Sequence, residues 1–178
     1  VAKMVSRRPF AGWWEYYLDK PIYTLPTNQS WAGSPLINSN GEILGIGSLF
    51  IADAATPGIM SPGNMFVPIN LLKPILNDLK KYGRRKSNIK PYIGLSSNEY
   101  NGQVIVKRVS RDGPSYIAGI KANDIITSVN GNLVKNLKKF YEAVWATGNS
   151  GVSIKIGIQR NGKQINFDVK SIDRMDYF

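Results

Sequence analysis

Apolar and polar residues alternate in short runs over the first fifty positions, at 2–6, 14–18, 22–25, 36–37 and 43–50, separated by Pro, Gly and Asn. Alternation with period two over such lengths predicts strands with one buried face. Asn40-Gly41 supplies the pair that a tight hairpin turn demands. Several strands with no helix between them predict barrel or sandwich material. Residues 53–64 hold two Pro and two Gly and read as a loop. The spacing then changes. Leu72, Ile75, Leu76 and Leu79 fall at i, i+3, i+4 and i+7, one face of a helix. Asn70 is placed as its N-cap, Pro74 sits near the first turn, Lys80 and Lys81 occupy the last turn, and Gly83 follows as the left-handed terminator.

The second half has another rhythm. A short strand at 92–95, an Asn101-Gly102 turn and an apolar run at 104–109 predict a very short hairpin, and with it a shallow groove. Residues 114–118 read as a short helix closed by Gly119, and 125–129 as a strand ending at Asn130-Gly131. Residues 137–146 form an amphipathic helix with Leu137, Phe140, Tyr141 and Val144 on one side. Strands at 152–158 and 164–169 pair across Asn161-Gly162. Five strands and two helices make a small α+β domain.

Composition narrows the chemistry. With 178 residues, 43% of them hydrophobic, the chain can build one large core or two small ones. It has no cysteine, so disulfides and thiolate metal sites are excluded. It has no histidine, so no Ser-His-Asp constellation can be completed from these residues, and no His-ligated metal is expected. No cofactor is expected either. The net charge is +11 and the densest basic run is Lys80-Lys81-Tyr82-Gly83-Arg84-Arg85-Lys86. No aromatic stacking platform accompanies it, so it reads as a helix terminus and solvated linker, and neither nucleic acid nor a membrane surface is an expected partner. The chain enters strand-like text directly at Val1, from which a processed or truncated polypeptide is expected.

Tyr92-Ile93-Gly94-Leu95 has the features of an anion-binding loop, because glycine lets successive backbone N–H groups converge. A strand following it offers an edge for an extended peptide, Lys90 upstream adds charge, and Leu137, Tyr141 and Val144 supply the facing wall. Phe140 and Val144 serve core and groove equally well, whereas Leu137 and Tyr141 are the better candidates for lining. The order of this loop, Gly113-Pro114-Ser115-Tyr116-Ile117-Ala118-Gly119-Ile120, Asn123-Asp124-Ile125-Ile126, Val129-Asn130-Gly131 and Arg160-Asn161-Gly162 resembles the PDZ domain of bacterial and organellar type. The resemblance implies capture of peptide C-termini. The tail Arg174-Met175-Asp176-Tyr177-Phe178 offers an aromatic side chain and a carboxylate that would suit such a groove.

Ser30-Trp31-Ala32-Gly33-Ser34-Pro35 resembles the nucleophile turn of chymotrypsin-like proteases, and Asn64-Met65-Phe66-Val67-Pro68-Ile69-Asn70 resembles the closing strand of HtrA/DegP-type proteases. Protease barrel, helix and PDZ domain in this order is the HtrA plan. The fold class that follows is mainly β with α+β, half of a trypsin-like double β-barrel followed by a helix and a PDZ domain. Its boundaries are 1–82 for the barrel and closing helix, 83–90 for a basic linker, 91–173 for the PDZ domain and 174–178 for a tail.

The resemblance implies a serine endopeptidase of protein quality control acting outside the cytoplasm, in the bacterial periplasm or an equivalent compartment. Its partners would be unfolded proteins, peptide C-termini, an N-terminal barrel carrying the His and Asp, and further copies of the chain. It also implies an oxyanion hole from the backbone of Ser30, Trp31 and Ala32, substrate pairing along Ser48, Leu49 and Phe50, and a specificity pocket bordered by 53–64 with 26–28 at its base. Two positions depart from the pattern: Ser30 replaces a glycine, and Ala32 stands where the nucleophilic serine belongs. A methyl cannot attack a carbonyl, so the chain as it stands is expected to be inactive, through replacement of a serine or as a natural pseudoprotease. A non-catalytic peptide-binding adaptor is the alternative.

Overall fold

A computed structural model describes residues Val1–Phe178. The chain divides into two compact units, Val1–Phe10 with Leu18–Gly83, and Ala11–Tyr17 with Arg84–Phe178. The expected barrel segment 1–82 is thus interrupted, since Ala11–Tyr17 packs with the second unit.

The first unit is built on a five-stranded antiparallel sheet. In chain order the strands up to residue 68 are β1 (Lys3–Ser6), β2 (Phe10–Gly12), β3 (Tyr16–Leu18), β4 (Ile22–Leu25), β5 (Pro35–Ile37), β6 (Ile43–Ile51) and β7 (Gly63–Pro68), of which β2 and β3 lie mostly in the segment Ala11–Tyr17 of the second unit. The sheet runs β1-β4-β7-β6-β5, while β2 and β3 form a separate two-stranded ribbon. Ile22, Tyr23, Ala54, Met65 and Phe66 are its buried apolar residues. Arg8 ties down the loop after β6, donating to the carbonyls of Ala54 (2.8 Å) and Asp53 (2.8 Å) while its guanidinium lies 4.3 Å from the Tyr23 ring centroid. Gly47 in β6 is required sterically, because a Cβ there would collide with the Trp31 carbonyl.

Past β7 the expected single helix is two 3-10 turns, Ile69–Leu71 and Lys73–Ile75, followed by α1 (Leu76–Tyr82). Asn70 is not its N-cap: that place falls to Ile75, with no side-chain cap. Pro74 enters the second 3-10 turn near its start, where its missing N–H costs least. Gly83 closes α1 at φ 66° as expected. None of these helical residues is fully buried: on the apolar face read from the spacing Ile75 and Leu79 are half-buried, while Leu72 and Leu76 are exposed.

The second unit contains β8 (Leu95–Tyr100), β9 (Gln103–Val109), α2 (Pro114–Ala118), β10 (Ile125–Val129), β11 (Asn132–Leu133), α3 (Leu137–Trp145), β12 (Ser153–Arg160) and β13 (Lys163–Lys170). Its sheet runs β13-β12-β10-β9-β8, with β11 added to β10. The Asn101-Gly102, Asn130-Gly131 and Asn161-Gly162 pairs all hold positive φ at both residues, the geometry that matches strand twist in two-residue turns. The 92–95 strand is corrected. Tyr92 makes only an isolated bridge to Ile172, and β8 starts at Leu95 and runs to Tyr100. The hairpin therefore has six and seven residues per strand and leaves a longer edge than expected. α3 is started by Asn136, whose side chain accepts from the Lys139 N–H at 2.8 Å. Val104, Val106, Ile126, Phe140, Ile154, Ile156, Ile158 and Val169 are buried in one core between sheet and helices.

One charge pair is held at the edge of that core. Asp124 accepts two hydrogen bonds from Arg160, at 2.7 and 2.6 Å, and a third from the Lys121 N–H at 2.8 Å. Burial raises the Asp124 pKa, but these donors outweigh it and the carboxyl ends below its ordinary value. Asp124→Ala is expected to lower the unfolding free energy by about 3 kcal/mol, since Arg160 would be left partly buried without its partner. In the unchanged protein this contribution is present above the ordinary carboxylate pKa and is lost as pH falls through the lowered one. Chemical denaturation of both proteins at pH 7 and pH 3 checks this. A difference that does not shrink in acid contradicts it.

Candidate functional site

The loop before β8 places its amides around a carboxylate. Gly94 adopts φ 76°, a left-handed conformation that glycine takes at little cost. The Leu95 N–H donates to Glu15 Oε1 at 2.6 Å and the Ile93 N–H to Glu15 Oε2 at 3.2 Å. Two residues further along β8, the Ser97 N–H donates to the Trp13 carbonyl at 2.9 Å. From α3, the Tyr141 hydroxyl donates to the Gly12 carbonyl at 2.7 Å and accepts from the Glu15 N–H at 3.3 Å. The space between β8 and α3 is therefore occupied by the chain's own residues 12–15.

These contacts sort the expected residues. Ile93, Gly94 and Leu95 supply the amides, and Tyr141 is a hydrogen-bonding wall as well as a core residue. Leu137, Phe140 and Val144 are buried members of the core, against which Ala11 and Tyr17 pack. Lys90 is corrected as the assisting charge: its side chain is exposed, with Nζ 6.0 Å from the Trp145 ring centroid. The cation acting on the carboxylate is Arg174, which also donates to the Trp14 carbonyl at 3.3 Å. Tyr92 holds the loop from outside, its hydroxyl 3.1 Å from Ser110 Oγ and its ring 5.3 Å from the Arg174 guanidinium. The tail does not enter the groove: Tyr177 packs on Tyr92 and donates to the Arg111 carbonyl at 2.8 Å.

The turn at Ala32 lies in the first unit. The Ser34 N–H and hydroxyl both donate to the Trp31 carbonyl, at 3.1 and 2.9 Å, and Gly33 and Ser34 bond β6 at Gly47. Ala32 is exposed. The expected oxyanion donors are corrected, because the Ser30 N–H donates to Asn28 Oδ1 at 3.0 Å. Asn28 is itself anchored by donating its N–H to the buried Asn64 Oδ1. Asn28, expected at a pocket base, thus consumes one of the two amides an oxyanion needs. Leu49 and Phe50 of the expected substrate strand pair with Met65 and Asn64 of β7, and a register shift separates Gly47 from Leu49 at Ser48. The other edge of β6 is paired by β5 only over Ile43–Ile46.

Residues 91–171 match the PDZ domain family. The Do-like serine protease HtrA of Bacillus subtilis is 27% identical over 158 residues, covering 78% of this chain and 34% of that protein. The periplasmic pH-dependent serine endoprotease DegQ of Escherichia coli is 30% identical over 155 residues, covering 80% of this chain and 32% of that protein. The chain is similar to the HtrA/DegP-type serine proteases. A serine endoprotease structure from Yersinia pestis shares the fold with a TM-score of 0.55 at 29% identity, covering 86% of this chain and 52% of that one. The HtrA-type protease AlgW, solved with a decapeptide, superimposes with a TM-score of 0.58 at 19% identity over 88% of this chain and 50% of that one, a likeness of fold. The chain corresponds to the C-terminal part of the trypsin-like domain followed by the PDZ domain, and spans about a third of the length of the curated HtrA relatives it matches.

Glu15 is the partner of these loop amides, and sequence reading missed it. Burial pushes its pKa up to about 7, against the amides of Leu95, Ile93 and Gly94 and the Arg174 cation. A carboxyl whose pKa rises on folding stabilises the fold below its unfolded value and loses that contribution as pH rises through the folded one. With no histidine, few other groups titrate between pH 5 and 8. Carbon-detected NMR is expected to show the Glu15 carboxyl titrating near 7, with thermal stability falling from pH 5 to pH 8. A midpoint near 4.5, with stability flat across this range, contradicts it.

Proposed function

We propose that this chain is the peptide-binding portion of an HtrA-like protein of extracytoplasmic quality control, in which the PDZ groove takes the C-termini of unfolded or mislocalised proteins. The observation that carries the reading is the convergence of the Ile93 and Leu95 amides on one carboxylate, beside a β8 edge whose Ser97 N–H donates to a backbone carbonyl, that of Trp13. A peptide terminus offers the same two acceptors, a carboxylate and a backbone carbonyl, so it satisfies the same donors. The Ala32 turn is inert in this reading: it has no nucleophile, and Asn28 holds the Ser30 amide.

NMR titration of the chain with an apolar decapeptide bearing a free C-terminus tests this. Shifts of the Ile93 and Leu95 amides are expected, and the C-terminally amidated peptide is expected to bind about tenfold or more weaker, the worth of hydrogen bonds to a charged acceptor. Equal binding of the two peptides contradicts it.

A second reading, a serine endopeptidase that lost only its hydroxyl, is favoured by one feature. The bonds of Gly33 and Ser34 to Gly47 keep the turn docked on β6. The N-terminal barrel it requires would cover exposed apolar residues of the first unit, among them Ile43, Leu44, Ile46, Leu71, Leu72 and Leu76. Ala32→Ser in the full-length polypeptide separates the two readings. The adaptor reading expects no peptide hydrolysis, whereas recovery on the order of a million-fold would restore the endopeptidase.

A further inference from the structure

Residues 12–15 are arranged as a ligand would be. Glu15 lays its carboxylate on the Ile93 and Leu95 amides, and Trp13, two residues before it, offers its carbonyl to Ser97 of β8. Amides two residues apart on one strand edge are the donors an added antiparallel strand uses. Tyr141 closes the other side, reading the carbonyl of Gly12 and the N–H of Glu15. The side-chain carboxylate thus stands where a terminal carboxylate would lie.

Local backbone chemistry sharpens the point. β2 and β3 are joined by Trp13-Trp14-Glu15, a three-residue loop of the kind whose last position turns left-handed. Glu15 holds φ 54° there, a conformation that glycine adopts freely and that costs an L-residue about 1–2 kcal/mol. Hairpin geometry alone would place glycine at this position. A glutamate bears that strain in the one place where its carboxylate reaches the loop amides. Nearby residues add contacts: Arg174 donates to the Trp14 carbonyl, and the Tyr17 hydroxyl donates to Glu142 of α3 at 3.2 Å.

We propose that residues 12–15 are an internal ligand of the PDZ groove, with Glu15 imitating a peptide C-terminus, so that an incoming C-terminal peptide binds only by displacing them. This rests on the peptide-binding reading above and adds its regulation. A tethered occupant competes at an effective concentration of order millimolar, so the groove selects against ligands that merely fit and admits those that bind the same amides more tightly. The apparent affinity is then the intrinsic affinity reduced by the fraction of molecules with the hairpin tip undocked.

Glu15→Gly is the informative substitution, because it relieves the left-handed strain and keeps the hairpin while removing the carboxylate; Glu15→Gln, which keeps side-chain length without the charge, is its companion. Binding of the free-carboxylate decapeptide is measured by fluorescence anisotropy on the full chain, and hydrogen exchange is followed at Ile93, Leu95 and Ser97. The glycine variant is expected to bind about tenfold or more tighter than the unchanged chain, with the glutamine variant between them, as required if the undocked fraction is below about a tenth. Its three amides are expected to exchange faster without peptide and to regain protection with it. Equal affinity in all three proteins overturns the internal ligand and leaves peptide binding standing. Amide protection unchanged by loss of the carboxylate also overturns it, whatever the peptide does. Freed amides with no binding in any protein refute the peptide-binding reading, and the inference falls with it.

Discussion

Everything proposed for the second unit depends on a carboxylate held by backbone amides out of water. The Ile93 and Leu95 N–H groups point toward the same two oxygens because Gly94 between them is left-handed. Such donors are fixed by the fold and need no side-chain ordering, so they discriminate by charge and shape without regard to sequence. The sheet edge adds directionality, and Tyr141 adds a wall that reads backbone as well as packing in the core. Burial opposes the charge on Glu15 while the amides and Arg174 favour it, and this opposition brings the group toward neutrality near physiological pH.

Much of the fold was legible because local signals agreed with tertiary ones. The Asn-Gly turns at 101–102, 130–131 and 161–162, the left-handed Gly83 and Gly119, and the alternating strands β10, β12 and β13 are each specified by neighbours in sequence, whereas Asn40-Gly41 lies in a longer connection, residues 38–42, with only Gly41 at positive φ. The misses have physical causes. Asn70 has capping chemistry but lies inside a 3-10 turn, because Pro68 and Pro74 govern the chain direction around it. Lys90 is adjacent to the loop in sequence yet exposed, while Arg174, more than eighty residues later, supplies the charge. Glu15 carries no local mark at all. A glutamate in a Trp-rich hairpin looks like surface, and only the contact across nearly eighty residues gives it a role.

The first unit presents the opposite case, a motif legible in sequence and incomplete in chemistry. The turn around Ala32 keeps its carbonyl-to-hydroxyl and strand contacts, yet one expected oxyanion donor is spent on Asn28. The unit also exposes apolar residues, Ile43, Leu44 and Ile46 on β6, Leu71 in the first 3-10 turn and Leu76 in α1. The HtrA relatives are longer than this chain, and the residues they share with it run through both units.

The most direct test of the central claim is scalar coupling across the hydrogen bonds themselves. A long-range carbonyl-correlated NMR experiment on labelled protein at pH 8, where Glu15 is ionised, is predicted to connect the Leu95 amide nitrogen with the Glu15 side-chain carboxyl carbon. A Leu95 amide that couples to no carboxyl carbon and exchanges with water at an unprotected rate would contradict the account.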